Sequence, residues 1–238
     1  MKRKKIINFL DKNFKNPQKS VKYNFSPELC PDQYVAYFKY NNEWEIDSSK
    51  NNILDRGTVG KSKNLDVNYN SINQKDYYIL IILESPHYDE YDLTSHKPFG
   101  PACGKTGAMF NKYFADIINQ MVKQQHRISV EFKQAHTYRI VFMNAVQYQA
   151  SEGRQPIDRD RTDFNWLKLW NSGFSEDLIR RIKAYPENNR VVINLCTLGN
   201  NNLRYIVKLK LTNNSIKHHC GYHPCTWNIK KNRVLLNF

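Results

Sequence analysis

Long apolar runs are missing from this 238-residue chain. None approaches the roughly 20 residues a membrane helix needs. The basic start, MKRKKIINFL, carries too short an apolar run for a signal peptide or an anchor, and reads instead as a helix with a basic face. Cysteine is scarce and irregularly placed: Cys30, Cys103, Cys196, Cys220 and Cys225, an odd number with no repeated spacing. That excludes a disulfide framework, and free thiols in a reducing cytoplasm are expected. No early Cys-x-x-Cys exists to begin an iron–sulfur ligand set. The segment HHCGYHPC gathers His218, His219, Cys220, His223 and Cys225. Zinc sites pair ligands from two separated segments, and no second segment is evident, so neither metal nor cofactor is expected. Acidic charge is also short, with 22 Asp and Glu against 36 Lys and Arg, a net +14. A Lys- and Asn-rich background accounts for part of this, but the excess points to a polyanionic partner, nucleic acid first. With 15 Tyr and 12 Phe, the chain also has flat side chains suited to stacking on unpaired bases.

Residues 1–75 are polar, with scattered aromatics and weak periodicity, and read as an N-terminal extension of short helices and loops. From Tyr77 the pattern sharpens into a domain over residues 76–238. YYILIIL (77–83) is a continuous apolar run, as expected of a buried parallel strand. GKTGAMFNKYFADIINQM reads as a helix, with Ala108, Phe110, Tyr113, Phe114, Ile117 and Ile118 near helical spacing. YRIVFMNAV (138–146) is a second strand. NWLKLWNSGFSEDLIRRIKAY gives one or two helices, and RVVINLCTLG (190–199) a third strand. NLRYIVKLK is a helix or strand, and HHCGYHPCTW a loop. This alternation predicts an α/β fold, a three-layer sandwich around a central, mostly parallel four-stranded sheet. Ligands of such sheets bind beyond the C-terminal strand ends, where ESPH, Asn144 and HPCTW fall.

FGPACGKTG (99–107) invites comparison with a triphosphate-binding loop. That loop needs four residues between its first glycine and Gly-Lys-Thr, and here only Pro101, Ala102 and Cys103 intervene. What remains is a helix start, which holds single phosphates through free N–H groups. Thr106 stands near the expected cap.

Taken in order over roughly residues 77–230, these segments resemble the uracil-DNA glycosylase superfamily. LESPH matches a strand ending in a Pro-containing motif. Phe99 matches an aromatic that stacks on the extruded base, and GKTG a turn that opens a helix. VFMNAV matches a strand ending in Asn, and HPCTW a His-Pro loop with a bulky wedge. The resemblance implies a monofunctional glycosylase that flips a pyrimidine from DNA and hydrolyses its N-glycosidic bond, leaving an abasic site. Its implied base pocket is Ser85, His87, Phe99 and Asn144. Lys105, Thr106, Gly107 and Trp227 would contact DNA, with Trp227 as the wedge. His223 would donate to the departing base, and Glu84 or Asp89 would supply the carboxylate, because Ser85 stands where the best-known branch has Asp.

At position 87, where uracil-specific relatives carry a Tyr against C5 of the base, this chain has His. That opens room for a polar C5 substituent such as a hydroxymethyl group or a sugar. Modified cytosines of that kind occur in phage DNA, which suggests a defence role. The competing expectations are uracil repair by an ordinary glycosylase and a catalytically silent DNA-binding module. The partner is double- or single-stranded DNA, with no membrane, and the protein is expected to be a monomer.

Overall fold

The computed structural model describes residues 28–56, 63–87, 90–92, 94–95, 97–150, 166–196 and 201–236. Seven strands form one mixed sheet: β1 (Gln33–Asn41), β2 (Glu43–Ile46), β3 (Tyr77–Leu83), β4 (Tyr138–Asn144), β5 (Arg190–Asn194), β6 (His219–Gly221) and β7 (Leu235–Leu236). Their order is β2-β1-β4-β3-β5-β6-β7. The four inner strands are parallel, and β1, β2 and β7 pair antiparallel.

Among the described residues three α-helices serve the crossovers: α1 (Lys105–Lys123), α2 (Ser175–Lys183) and α3 (Asn201–Asn213). Phe110, Phe114, Ile117 and Ile118 of α1 pack on one face of the sheet, against Ile79, Ile81, Ile140 and Phe142. Leu178 and Ile182 of α2, with Val207 and Leu211 of α3, cover the other face, against Leu80, Ile82, Val141 and Val192. β3 sits at the centre, buried on both faces, which its unbroken apolar sequence requires. Residues 166–169 are helical and lead through a wide turn, Trp170–Phe174, into α2. Gly173 turns the chain there with φ of 121°.

The α/β class holds, but the expected three-layer sandwich around four mostly parallel strands is not matched: among the described residues the sheet has seven strands of both directions. The N-terminal boundary also changes. β1 pairs along β4 from Gln33–Phe142 to Phe38–Tyr138, so residues 28–56 belong to the sheet and its core, not to a helical or irregular extension. Alternation in β1 is broken by a register shift between Tyr34 and Ala36, which blurs the period of two that marks a strand. β6 lies within the segment read as a loop; three residues are too few to show periodicity. The basic start lies outside the described residues.

Candidate functional site at the C-terminal strand ends

β3 sends the chain to α1 on one face, while its neighbours β4 and β5 send it to the opposite face. Strands that part in this way leave a crevice at their C-terminal ends. Glu84, Ser85 and His87 follow β3 directly. Asn144 is the last residue of β4 and stands opposite Leu83. His223 lies two residues beyond β6. Between β4 and β6 lie three strand spacings, roughly 14 Å, so Asn144 and His223 flank the crevice that β3 and β5 floor.

Asn144 is 1% exposed. Alternation along β4 places it on the α1 face with Ile140 and Phe142. Its carbonyl accepts from Arg181 Nη2 at 2.9 Å, but its side-chain Nδ2 is buried with no hydrogen-bond partner among the described residues. A buried donor left this way costs about 1–3 kcal/mol. Ser85 is buried, while Glu84 and His87 are half-buried.

His223 caps a short 3-10 turn, Pro224–Thr226, where its Nδ1 accepts from the Cys225 N–H at 3.4 Å. The ring proton therefore sits on Nε2. Burial pushes its pKa down to about 4, so the ring is neutral near pH 7 and presents an N–H donor.

The stretch 99–107 is held from beneath. Phe99 N–H donates to the Glu90 carbonyl at 2.8 Å, and Gln33 Nε2 donates to the Phe99 carbonyl at 3.1 Å. Glu90 Oε1 accepts from Ala102 N–H at 2.8 Å. The buried Arg56 guanidinium donates to the carbonyls of Pro101 (2.5 Å) and Ala102 (3.2 Å). Gly100 crosses Gln33 with φ of 135°, and a Cβ there would fall 1.9 Å from Gln33 Oε1. A Cβ on Gly107 would fall 2.1 Å from the Ala102 carbonyl oxygen, so the loop folds back onto the first turn of α1. Gly104 is the N-cap, with no side-chain cap bond, and Thr106 stands two residues beyond it in the first turn. Lys105 is exposed and Thr106 half-buried. Phe99 is half-buried and belongs to neither core cluster.

Trp227 requires a correction. It is 0% exposed, stacks on Phe110 at 5.9 Å between centroids, and donates through Nε1 to the Tyr222 carbonyl at 2.9 Å. A side chain that fills a gap in DNA must reach the surface, so Trp227 is a core residue and not the wedge. Asp89 lies outside the described residues.

A second buried network ties the crevice to the opposite layer. Arg181 of α2 bonds Asp32 Oδ2 at 2.6 Å and Asp177 Oδ2 at 2.8 Å, while its third nitrogen holds the Asn144 carbonyl. Tyr69 and Gln147 also donate to Asp32. Sequence reasoning missed Asp32, Gln33, Arg56 and Arg181. Asp32, Gln33 and Arg56 sit in polar stretches with no periodic signal, Arg181 sits within a segment read as helix, and the burial of each depends on distant partners.

Histidines 218 and 219 face other groups: His218 Nδ1 meets the Ile216 carbonyl, and His219 Nε2 meets Glu131 Oε1 at 2.8 Å. Among the described residues no three His, Cys, Asp or Glu side chains converge as metal ligands would. Nor is any helix among them long and apolar enough to cross a membrane. An open hollow of 480 Å³ at the other end of the sheet, beside Lys183, Glu187 and Arg190, contains none of the expected site residues. Comparison with protein-family models, curated proteins and solved structures finds no match to this chain.

Proposed function

We propose that this protein is a monofunctional DNA glycosylase that extrudes a pyrimidine nucleotide into the crevice and hydrolyses its C1′–N bond. The observation that carries this reading is the buried Asn144 Nδ2, which has no hydrogen-bond partner among the described residues and stands at the parting of the strands. A donor kept dry and unsatisfied at a binding crevice is made whole by a ligand acceptor, and a pyrimidine edge supplies one. His223 stands on the other flank as a neutral Nε2–H donor. Charge grows on the base as the bond lengthens, and a fixed donor stabilises that charge more than it stabilises the ground state. Glu84, the first residue after β3, favours the developing sugar cation or orients the attacking water. Water adds to C1′, and the base leaves with the bonding electrons and is then protonated. Phe99 offers a ring to the base, and the first turn of α1 faces a backbone phosphate with Lys105 beside it.

For the substrate we favour a C5-substituted cytosine, hydroxymethylated or glucosylated, because His87 at the crevice is smaller than a tyrosine and can hydrogen-bond a polar substituent. Single-turnover release from matched oligonucleotides carrying uracil, cytosine, 5-hydroxymethylcytosine and its glucosylated form tests both parts, with alkali-labile sites as the readout. Release from the modified bases, suppressed by His87→Tyr, is the expected outcome. Release from uracil alone, unmoved by His87→Tyr, would return the protein to uracil repair. DNA binding with no abasic product from any base would leave a silent binding module.

A further inference from the structure

Arg181 and Asp32 form a buried ion pair beside the crevice, with side chains 1% and 0% exposed, and no step of base excision uses either. The desolvation of such a pair can exceed its attraction, so it is a poor source of stability. Its place in the sheet shows what else it does. β1 starts at Gln33, opposite Phe142, so the last two residues of β4 have no strand on that side. Continuing the register by two residues would set Pro31 opposite Asn144, and proline has no N–H to donate. The Asn144 carbonyl takes the Arg181 guanidinium in place of a strand. The other end of the same peptide unit is held as well: Ala145 N–H donates to the Leu83 carbonyl at 2.8 Å. A planar unit pinned at both ends fixes the backbone from which the Asn144 amide projects. Three residues on, Gln147 Nε2 donates to Asp32 Oδ1 at 3.0 Å, and the Gln147 carbonyl accepts from Cys30 N–H at 2.9 Å. Between these anchors Val146 N–H donates to the Glu84 carbonyl at 3.1 Å, which also accepts from Trp166 Nε1 at 3.1 Å. Asn144 and Glu84 therefore share one frame, and the ion pair closes it.

We infer that Arg181 and Asp32 are positioning residues for base excision: they hold the exit of β4 against the exit of β3, so that the Asn144 amide and the Glu84 carboxylate meet the extruded nucleotide in one geometry. This rests on the glycosylase reading for what is held, while the clamp itself acts on Asn144 in the free protein. A guanidinium suits the task because its planar fork serves three acceptors at once: the Asn144 carbonyl at 2.9 Å, Asp32 Oδ2 at 2.6 Å and Asp177 Oδ2 at 2.8 Å. Asp32 also accepts from the Tyr69 hydroxyl, which fixes the carboxylate from a second side.

The test uses the full chain. Asp32→Leu with Arg181→Met removes both charges together, and Asp177 keeps its bonds from Arg180, so no buried carboxylate is stranded. Two readouts are taken on folded protein. The first is the side-chain amide signal of Asn144 in nitrogen–proton correlation spectra, assigned by its absence from Asn144→Leu. It should shift in the double variant, while that of Asn119, bonded to Trp44 on the α1 face of the sheet, stays in place. The second is single-turnover base release, which should slow by about a hundredfold, the cost of misplacing a reacting group by about 1 Å. DNA affinity should hold, because only geometry needed in the transition state is lost. Arg181→Lys keeps the charge but not the planar fork. It should fold as the unaltered protein does, move the Asn144 signal and slow release by a smaller factor, and it carries the test if the double variant does not fold. An Asn144 signal that stays in place, release at the unaltered rate, or equal losses of release and affinity would each overturn the inference. A shifted Asn144 signal, with no base released by the unaltered protein, sinks the glycosylase reading alone and leaves the clamp standing.

Discussion

Asn144→Leu should make the free protein more stable while abolishing the proposed base release. The side chain is buried, and its Nδ2 makes no hydrogen bond among the described residues. Leaving such a donor dry costs about 1–3 kcal/mol. Leucine has nearly the same size, so repacking against Ile140 and Phe142 should cost less than about 1.5 kcal/mol. The backbone carbonyl of residue 144 keeps its bond from Arg181, because the substitution leaves the main chain in place. A net gain of about 1 kcal/mol is therefore expected, worth roughly 2–4 °C in Tm for a chain of this size. Urea and thermal unfolding, followed by tryptophan fluorescence, would measure it, with base release assayed on the same sample. The combination matters, since a residue kept for structure loses stability and activity together when replaced. A loss of more than about 1 kcal/mol in the leucine variant would refute the reasoning, since it would show that the amide is already satisfied in the free protein.

The other predictions concern the groups around the crevice. His223 has its pKa lowered by burial from 6.5 to about 4. Between those values the unfolded chain binds the proton and the folded one does not, so stability is lost as pH falls through this window, by up to about 3 kcal/mol from this group. His223→Gln should flatten that part of a pH series of urea melts. In base-release assays His223→Ala should slow single-turnover rates by roughly two to three orders of magnitude with little change in DNA affinity, and a near-normal rate would remove His223 from the chemistry. Arg181→Met should cost about 3–5 kcal/mol, because it strands the carboxylates of Asp32 and Asp177, of which Asp32 is wholly buried. Adding Asp32→Leu should recover part of that loss in a double-mutant cycle, and a single-variant cost below 1 kcal/mol would contradict the network.

The sequence alone determined the parts governed by local periodicity. The unbroken apolar run of β3, the heptad-like spacing in α1 and the strand that ends at Asn144 were legible because each element writes its burial into neighbouring residues. So was the placement of ESPH and Asn144 at strand ends, since alternating strands and helices fix which ends share an edge, whereas the strand before His223 was read as a loop. Tertiary structure decided what depends on distant partners. β1 became part of the sheet through pairing with β4, about a hundred residues away in the chain. Nothing local marks Arg56 and Glu90 as buried; the fold brings the carbonyls and N–H of residues 101–102 onto them. Trp227 and Ile229 lie two positions apart, and nothing local says which turns inward. The aromatic faces of Phe110 and the floor of the α1 core took the larger ring, and the isoleucine was left in water among lysines.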